Sequence, residues 1–274
     1  MDSLMVSGFT TLRMFVFFGV GVACYLKASP PAAQEPDPAP VRMAYSEFYP
    51  HSFTGVDGQP QGLAIDIARL LVAADGRELE FLRADDPGVV MDMMVSGEAD
   101  MSSTLGLTPD RLATAIATQP FGSFRTMLFT KKNGARRSPE DFLGSRIGVV
   151  TGSLSVTLAA QNSFTNIVEF PNPDARLMAL LTGEIDATVA AADSFSRRLR
   201  QMGSDIFVEA IEPPLGETPF GFFVSSSSGD LLSSLNEQIE AQLTPEVLGA
   251  LSETWFGRPT RLPEHDYILW GSIA

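Results

Sequence analysis

Apolar positions along the chain follow two periods, one typical of buried strands and the other of amphipathic helices. Val41–Tyr45 is apolar enough to form a buried strand, and apolar residues in 65–74 recur at helical spacing. The segment 78–83 alternates as a second strand, and a second helix is predicted over about 86–96, beginning at an Asp-Pro pair. This alternation of strands and helices predicts an α/β fold with a parallel sheet.

The same order of elements recurs further along the chain and predicts a second, similar α/β lobe. Its predicted helices are 139–143, 154–161, 173–181 and a helix ending near 200, and its predicted strands are 147–150, 167–170, 186–190 and an edge strand at 206–209. A short motif also recurs, because SGEADM at 96–101 resembles TGEIDA at 182–187. Each copy follows a helix and precedes a strand, with the glycine as the predicted helix cap.

Two apolar extended segments connect the predicted lobes. Because 124–130 and 218–224 both cross between them, we expect a two-strand hinge, and we expect the last helices, 230–243 and 245–256, to pack on the first lobe. The predicted organisation is a signal peptide or anchor at 1–33, a linker at 34–40, lobe 1 at 41–126 and 221–258, lobe 2 at 127–220, and a tail at 259–274.

The N-terminal segment predicts export. The apolar run 14–26 follows Arg13 and is too short for a comfortable membrane span, which is typical of a signal peptide. A Pro/Ala-rich linker follows it. An uncleaved short anchor is the alternative, and Cys24 stands where a bacterial lipoprotein would carry its acylated cysteine. We expect an exported protein, with lipid anchoring at Cys24 left open.

Charge and residue counts exclude several classes of function. The net charge of −14 over 274 residues argues against binding of nucleic acid or an anionic membrane by bulk electrostatics. Cys24 is the one cysteine, and His51 and His265 have no companions at metal-ligand spacing, so we predict no metal site and no catalytic triad. No phosphate-binding or nucleophile-elbow motif is present.

The segment 101–120 carries the strongest candidate chemistry. It predicts a buried strand, a turn of small residues and a helix start, with Thr108 as the N-cap and Pro109 in the first turn. Arg111 in that turn would offer a bidentate fork to a carboxylate, assisted by the helix dipole. A solvated surface charge is the alternative interpretation of a single arginine at this position.

These segments together resemble a known family. The pieces that carry the resemblance are YP at 49–50, DG at 57–58, GLAIDIA at 62–68, GEAD at 97–100, LTPDR at 107–111, GSRIGV at 144–149, TGS at 151–153, GEIDA at 183–187 and WFG at 255–257. In this order the chain, from 41 to 257, resembles periplasmic solute-binding proteins of the polar-amino-acid class, which serve ABC importers. The resemblance implies a two-lobed Venus-flytrap fold that closes on a ligand by a hinge motion.

The resemblance also implies a ligand site. The arginine matching Arg111 would grip the ligand's α-carboxylate, and an aromatic residue near the first strand would pack on the ligand. Hydrogen-bonding groups would come from the segment before that arginine and from the second-lobe turn. The residues implied in these supporting roles are Thr104, Gly106, Thr108, Phe48, Tyr49, Gly152 and Ser153.

Two departures from the family pattern bear on the ligand. Where the family has an aspartate for the ligand's ammonium, this chain has Ala191, and Asp193 lies two residues further on. Leu154 stands where the family often has a threonine. Because a buried ammonium without a partner costs several kcal/mol, we predict that ordinary α-amino acids are poor ligands unless Asp193 substitutes. The expected ligand is a small carboxylate, or a ligand whose cation is placed elsewhere than on the α-carbon.

Three functions follow from this resemblance. The first is the binding component of an ABC importer, a monomer without cofactor whose partners are a small carboxylate or amino-acid-like ligand and a membrane permease. The second is a periplasmic sensing domain of a signalling receptor, since the same fold occurs there. The third is an enzyme resembling dehydratases of cyclic carboxylates such as prephenate, with Asp193 or Glu217 as the candidate acid.

Overall fold

A computed structural model describes residues 39–132 and 137–257. The predicted signal segment with Cys24, most of the predicted linker, and the tail from 259 onward lie outside the described residues. No helix among the described residues combines the length and the apolar character needed to cross a bilayer.

The described chain alternates strands and helices, as the hydrophobic pattern predicts. The strands are β1 Val41–Tyr45, β2 Phe53–Thr54, β3 Pro60–Gln61, β4 Leu79–Arg83, β5 Met101–Gly106, β6 Ile116–Ala117, β7 Gly122–Lys131, β8 Ile147–Val150, β9 Ile167–Phe170, β10 Ala187–Ala191 and β11 Val208–Val224. The helices are α1 Leu63–Ala74, α2 Pro87–Ser96, α3 Pro109–Leu112, α4 Leu154–Gln161, α5 Pro173–Thr182, α6 Ala192–Gln201, α7 Gly229–Gln242 and α8 Pro245–Phe256. The predicted helix at 139–143 is a single 3₁₀ turn, Pro139–Phe142.

In the described part of the chain, nine strands form one sheet in the order β4-β1-β5-β11-β7-β10-β8-β9, with β6 paired to β11. Pairing is parallel in β4-β1-β5, which we call the first half, and in β10-β8-β9, the second half. The central strands β7 and β11 are antiparallel to each other and to their outer neighbours. The two segments predicted to cross between lobes therefore lie side by side at the centre of the sheet. The lobe boundaries themselves remain a prediction.

One predicted strand is not a separate element. The predicted edge strand at 206–209 overlaps the start of β11, which continues to Val224. The pairing of β11 with β7 shifts register between Ile211 and Gly216. Pro213 and Pro214 lie in that interval and have no N–H to donate to the ladder, so the strand bulges there but does not end.

Each half has its own buried core. In the first half, Ile65 and Leu71 of α1 pack with Leu235 of α7 and Phe256 of α8, which confirms that the last helices return to the first half. In the second half, Ile147 and Val149 of β8 pack in one cluster with Leu158 of α4. Each such fully buried side chain stabilises the fold by about 1.5–3 kcal/mol relative to an exposed one.

The repeated sequence motif builds the same joint in each half. The backbone N–H and guanidinium of Arg42 donate to the Asp100 carboxylate at 2.9–3.0 Å, and its Nη2 also donates to the carbonyl of Gly97 at 3.0 Å. Arg146 repeats these bonds with Asp186 at 2.9–3.2 Å and with the carbonyl of Gly183 at 3.1 Å. Both glycines are left-handed caps of the preceding helix.

Candidate functional site

A cleft of about 730 Å³ lies between the two halves. Its walls come from the carboxyl ends of parallel strands and the helix starts that follow them, the usual position of ligand sites in α/β sheets. The lining includes 46–49 and 103–106 from the first half, and 153–155, 171–174 and 190–191 from the second half. Its size falls within the range of small-molecule sites.

Arg111 enters the cleft from the one-turn helix α3. As predicted, Thr108 is the N-cap of this helix, and its hydroxyl oxygen accepts a hydrogen bond from the backbone N–H of Arg111 at 3.5 Å. The guanidinium donates to the carbonyl of Gly106 at 3.1 Å and, across the cleft, to the carbonyl of Gly152 at 2.9 Å. Because α3 spans only 109–112, its dipole contributes little to anion binding. The guanidinium of Arg111 itself must therefore bind the anion.

Arg111 carries a desolvated charge. Burial lowers its pKa to about 10, so it remains protonated at neutral pH. No carboxylate among the described residues forms an ion pair with it. The arginine is therefore positioned to receive an anion from outside the chain.

The predicted polar groups fall into two sets. Thr104, Gly106 and Ser153 line the cleft. The Thr104 hydroxyl lies 3.5 Å from Nδ1 of the buried His51, while the Ser153 hydroxyl donates to the carbonyl of Val150 at 2.7 Å and caps α4.

Thr108 and Gly152 are placed differently from these three. Neither is part of the cleft lining. Thr108 caps α3, and Gly152 supplies the carbonyl that holds Arg111 from the second half. Their contribution in this structure is therefore to position Arg111.

Phe48 and Tyr49, the two predicted aromatic residues, both line the cleft. Phe48 is stacked on His51 with ring centroids 4.8 Å apart, which fixes its orientation. The Tyr49 ring has the guanidinium of Arg198, from α6, at 5.9 Å from its centroid. Tyr49 and Arg198 therefore form a cation–π contact between the two halves.

His51 belongs to the core behind this wall. Its ring is 3% exposed and also packs against Phe124, Phe220 and Phe256. Burial lowers its pKa to about 3, so the imidazole is neutral at neutral pH. Sequence reasoning left this residue without a role, because only the tertiary structure assembles the aromatic rings around it.

The charges of the cleft leave two arginines without carboxylate partners. Four arginines and three acidic residues line it. Arg83 is paired with Glu47 at 3.1 Å and Arg198 with Asp174 at 2.7 Å, while Asp85 is exposed. Among the described residues, Arg111 and Arg176 then have no carboxylate partner.

Arg176 is the cleft residue that sequence reasoning missed. It lies in the first turns of α5, where an arginine in a helix pattern is ordinarily solvated, yet it is only 7% exposed. A local pattern cannot reveal this burial. Across residues 39–132 and 137–257, no group of three or more His, Cys, Asp or Glu side chains is placed to hold a metal ion.

Ala191 lines the cleft at the end of β10, but Asp193 does not. Asp193 instead lines a smaller neighbouring cavity beside His51 and Phe124. Glu217, on β11, accepts a hydrogen bond from the Ser123 hydroxyl at 2.5 Å and is also not part of the cleft lining. Neither of the two predicted candidate acids therefore reaches the cleft in this structure.

Solved structures share this fold. The substrate-binding protein of an ABC uptake transporter from Streptococcus pneumoniae, solved with bound histidine, is similar with a TM-score of 0.74 and 18% identity over 81% of this chain and 94% of its own. A histidine kinase sensor domain with similarity to periplasmic binding proteins is similar with a TM-score of 0.74 and 17% identity, over 81% of this chain and 98% of its own.

Sequence comparison adds a curated relative and a family. The virulence sensor protein BvgS of Bordetella bronchiseptica is 22% identical over 214 residues, which cover 77% of this chain. The match spans only 17% of the length of BvgS. The family model of the bacterial extracellular solute-binding proteins, family 3, matches residues 41–258, and the chain belongs to this family.

Proposed function

We propose that this chain is the binding component of an ABC importer and holds a small carboxylate-bearing solute in the cleft, without changing it chemically. The observation that carries the proposal is the desolvated guanidinium of Arg111. It lines the cleft, has no carboxylate partner among the described residues, and is fixed by carbonyls of Gly106 and Gly152 on opposite sides. A carboxylate would provide the missing counter-charge.

The position of Arg111 also supports ligand-driven closure. Its two backbone contacts belong to different halves, so a ligand bound to its fork would touch groups of both walls. A ligand shifts such an equilibrium only through its different affinity for open and closed states. Contacts to both walls exist only when the cleft is closed, and they supply that difference.

Ala191 favours a ligand without an α-ammonium group. Among the described residues, no acidic side chain lines the cleft at the end of β10, and Asp193 lines another cavity. Asp85 is the cleft carboxylate without an ion pair among the described residues, and its exposure leaves it solvated. We infer that ordinary α-amino acids bind poorly, since none of the described cleft residues is a buried, unpaired carboxylate that could compensate their ammonium.

Localisation and partners follow from the family. We infer export to the periplasm, directed by the N-terminal segment, with lipid attachment at Cys24 as the variant of this proposal. The protein from Streptococcus pneumoniae is described as part of an ABC uptake transporter. By this likeness we infer a membrane permease as the partner and a monomeric binding protein.

A sensing domain is the second candidate. It is favoured by the similarity to BvgS and to a histidine kinase sensor domain, both described as sensors. In a sensor, the same cleft would bind a ligand and closure would be transmitted to an output domain. Ligand binding at Arg111 is common to both candidates, so a cellular measurement must separate them.

Arg111→Gln tests the proposed site. The full chain is screened by thermal shift against small mono- and dicarboxylates, the twenty amino acids, amines and prephenate. A ligand at 100 times its Kd raises stability by about 2.7 kcal/mol, a readily visible shift. We expect a carboxylate hit that Arg111→Gln abolishes and Arg200→Gln, which removes an exposed charge from α6, retains.

An unchanged shift in Arg111→Gln would refute the assignment, provided that both variants show wild-type circular dichroism. Recovery of the ligand unaltered after incubation separates binding from enzymatic turnover. Uptake of the radiolabelled hit by cells with and without this chain then separates the importer from the sensor. Uptake that does not depend on the chain would favour the sensor.

A further inference from the structure

The second wall of the cleft contains a buried guanidinium with an unused donor. Arg176 lines the cleft and is 7% exposed. Its Nη1 donates to the carbonyl of Val189 at 2.9 Å, and the guanidinium lies 5.2 Å from the ring centroid of Phe195. Its Nε is buried and has no hydrogen-bond partner among the described residues.

A second unpartnered donor lies on the same wall. Ser194, in the first turn of α6, also lines the cleft and is 4% exposed. Its Oγ is buried without a hydrogen-bond partner among the described residues. Unsatisfied buried polar atoms are rare in folded proteins and costly, so two of them on residues that line one cleft indicate a missing acceptor.

A purely structural role does not account for Arg176. A buried structural arginine is normally neutralised by a carboxylate. Of the acidic residues lining the cleft, Asp174 is paired with Arg198 and Glu47 with Arg83, and Asp85 is exposed. Burial lowers the pKa of Arg176 to about 10, so it is still charged at neutral pH, and the described residues provide no carboxylate that pairs with it.

We propose that Arg176 and Ser194 bind a second anionic group of the ligand, so that the solute is a dianion, most simply a dicarboxylate spanning the cleft from Arg111 to Arg176. This inference rests on the proposed function, in which Arg111 takes the first carboxylate. Ala191 agrees with this proposal, because an aspartate at that position would repel an anionic ligand, whereas alanine carries no charge.

The remaining wall suits the connecting chain of such a ligand. Phe48, Tyr49 and Leu154 line the cleft with apolar surface. Short methylene chains pack favourably on such surfaces, whereas a free ammonium would meet two uncompensated cations. The cleft therefore selects for two negative ends and an uncharged middle.

Calorimetry with matched ligand pairs tests the proposal on the full chain. The probes are succinate, glutarate and adipate, each compared with its monomethyl ester, which keeps one carboxylate and removes the other charge. The variants are Arg176→Met, Ser194→Ala and the control Arg200→Gln. We expect at least one diacid to bind at least tenfold more tightly than its monoester.

The variants should remove that preference selectively. Arg176→Met should weaken the diacid at least tenfold and the monoester less than threefold, while Arg200→Gln changes neither. Ser194→Ala should weaken the diacid by about threefold to tenfold, the cost of one hydrogen bond. If Arg176→Met does not fold, Arg176→Lys, which keeps the charge but loses the fork, should show an intermediate loss.

Each other outcome is decisive. Equal losses for diacid and monoester in the Arg176 and Ser194 variants would overturn the second site. Arg111-dependent binding of monoesters or amino acids without any diacid preference would leave the proposed function standing and refute the dianion. Absence of any Arg111-dependent carboxylate binding in the wider screen would refute both. Binding of an amino acid that Asp85→Asn abolishes would also overturn the dianion.

Discussion

The two halves of the molecule share one structural joint but line the cleft with different chemistry. In each half an arginine holds the aspartate of a Gly-Glu-X-Asp turn and the carbonyl of its glycine, Arg42 with Asp100 and Arg146 with Asp186. Facing the cleft, the first half presents Arg111, held by backbone carbonyls of both halves. The second half presents Arg176, which lines the cleft although it is only 7% exposed.

This difference distinguishes the residues that maintain the fold from the residues that we assign to ligand binding. The joints serve folding, because they fix where a helix ends and a strand begins in both halves. The cleft walls have no such symmetry, and there the chain carries two cations without carboxylate partners among the described residues. We infer that the repeated features stabilise the architecture, whereas the unrepeated ones select the ligand.

Acid should act mainly on the first half, through His51. Because burial lowers its pKa to about 3, from 6.5 in the unfolded chain, the unfolded state binds a proton that the folded state does not. Stability is therefore complete above pH 6.5 and is lost as the pH falls toward 3, at about 1.4 kcal/mol per pH unit. Urea denaturation between pH 7 and 4 measures this slope.

His51→Phe keeps an aromatic ring in the cluster and should flatten that slope, whatever its effect on stability at pH 7. His265→Gln, at the other histidine, is the control and should keep the slope of the parent. If His51→Phe loses stability with acid as steeply as the parent, the imidazole is not the buried base that the structure indicates.

The contact between the halves at Gly152 should produce the next largest effect. Gly152 has φ of 67°, and a Cβ there would overlap the backbone nitrogen of Gly88, across the cleft in α2. Gly203 has φ of 65° with nothing within 4 Å of its Cβ position. Both alanine variants suffer the left-handed strain of about 1–2 kcal/mol, but only Gly152→Ala should also force the halves apart.

Urea denaturation and small-angle scattering measure these two effects. We expect Gly152→Ala to lose a further ~1–3 kcal/mol or, if the hinge opens to relieve the overlap, to show a larger radius of gyration than Gly203→Ala. Equal stability and equal radius in the two variants would show that the halves do not meet at this glycine in solution.

The two joints should differ in strength because they differ in burial. The Asp100 side chain is 19% exposed and also accepts from the Ser228 hydroxyl at 3.2 Å, whereas the Asp186 side chain is 36% exposed. Burial alone would raise the pKa of Asp100, but the hydrogen bonds from Arg42 outweigh it and hold the pKa below the usual value. Asp100→Ala should destabilise by ~1–2 kcal/mol and Asp186→Ala by less than ~1 kcal/mol.

Chemical denaturation of both variants at pH 7 measures this comparison. Because the folded pKa of Asp100 is depressed, its contribution is present at neutral pH and is lost as the pH falls through the folded pKa, below 3.8. A larger loss in Asp186→Ala would show that burial does not set the strength of the repeated joint.

Local features of the sequence determined most of the secondary structure. The strand β1 and the helix α4 have the predicted bounds, and Thr108 is the N-cap of α3 as predicted. These features depend on hydrogen bonds and side-chain periods within a few residues, so the chain specifies them segment by segment. The local motif also predicted Arg111 as a carboxylate receptor, whereas its place in a cleft was implied by the family resemblance.

Only the tertiary structure decided which of the predicted residues meet. It joined both parts of β11 across Pro213 and Pro214 and kept Asp193 out of the cleft lining. It also buried Arg176 and Ser194 on the second wall. Burial and the direction of a side chain depend on which distant strands pair and which helices cover them, and no window of neighbouring residues contains that information.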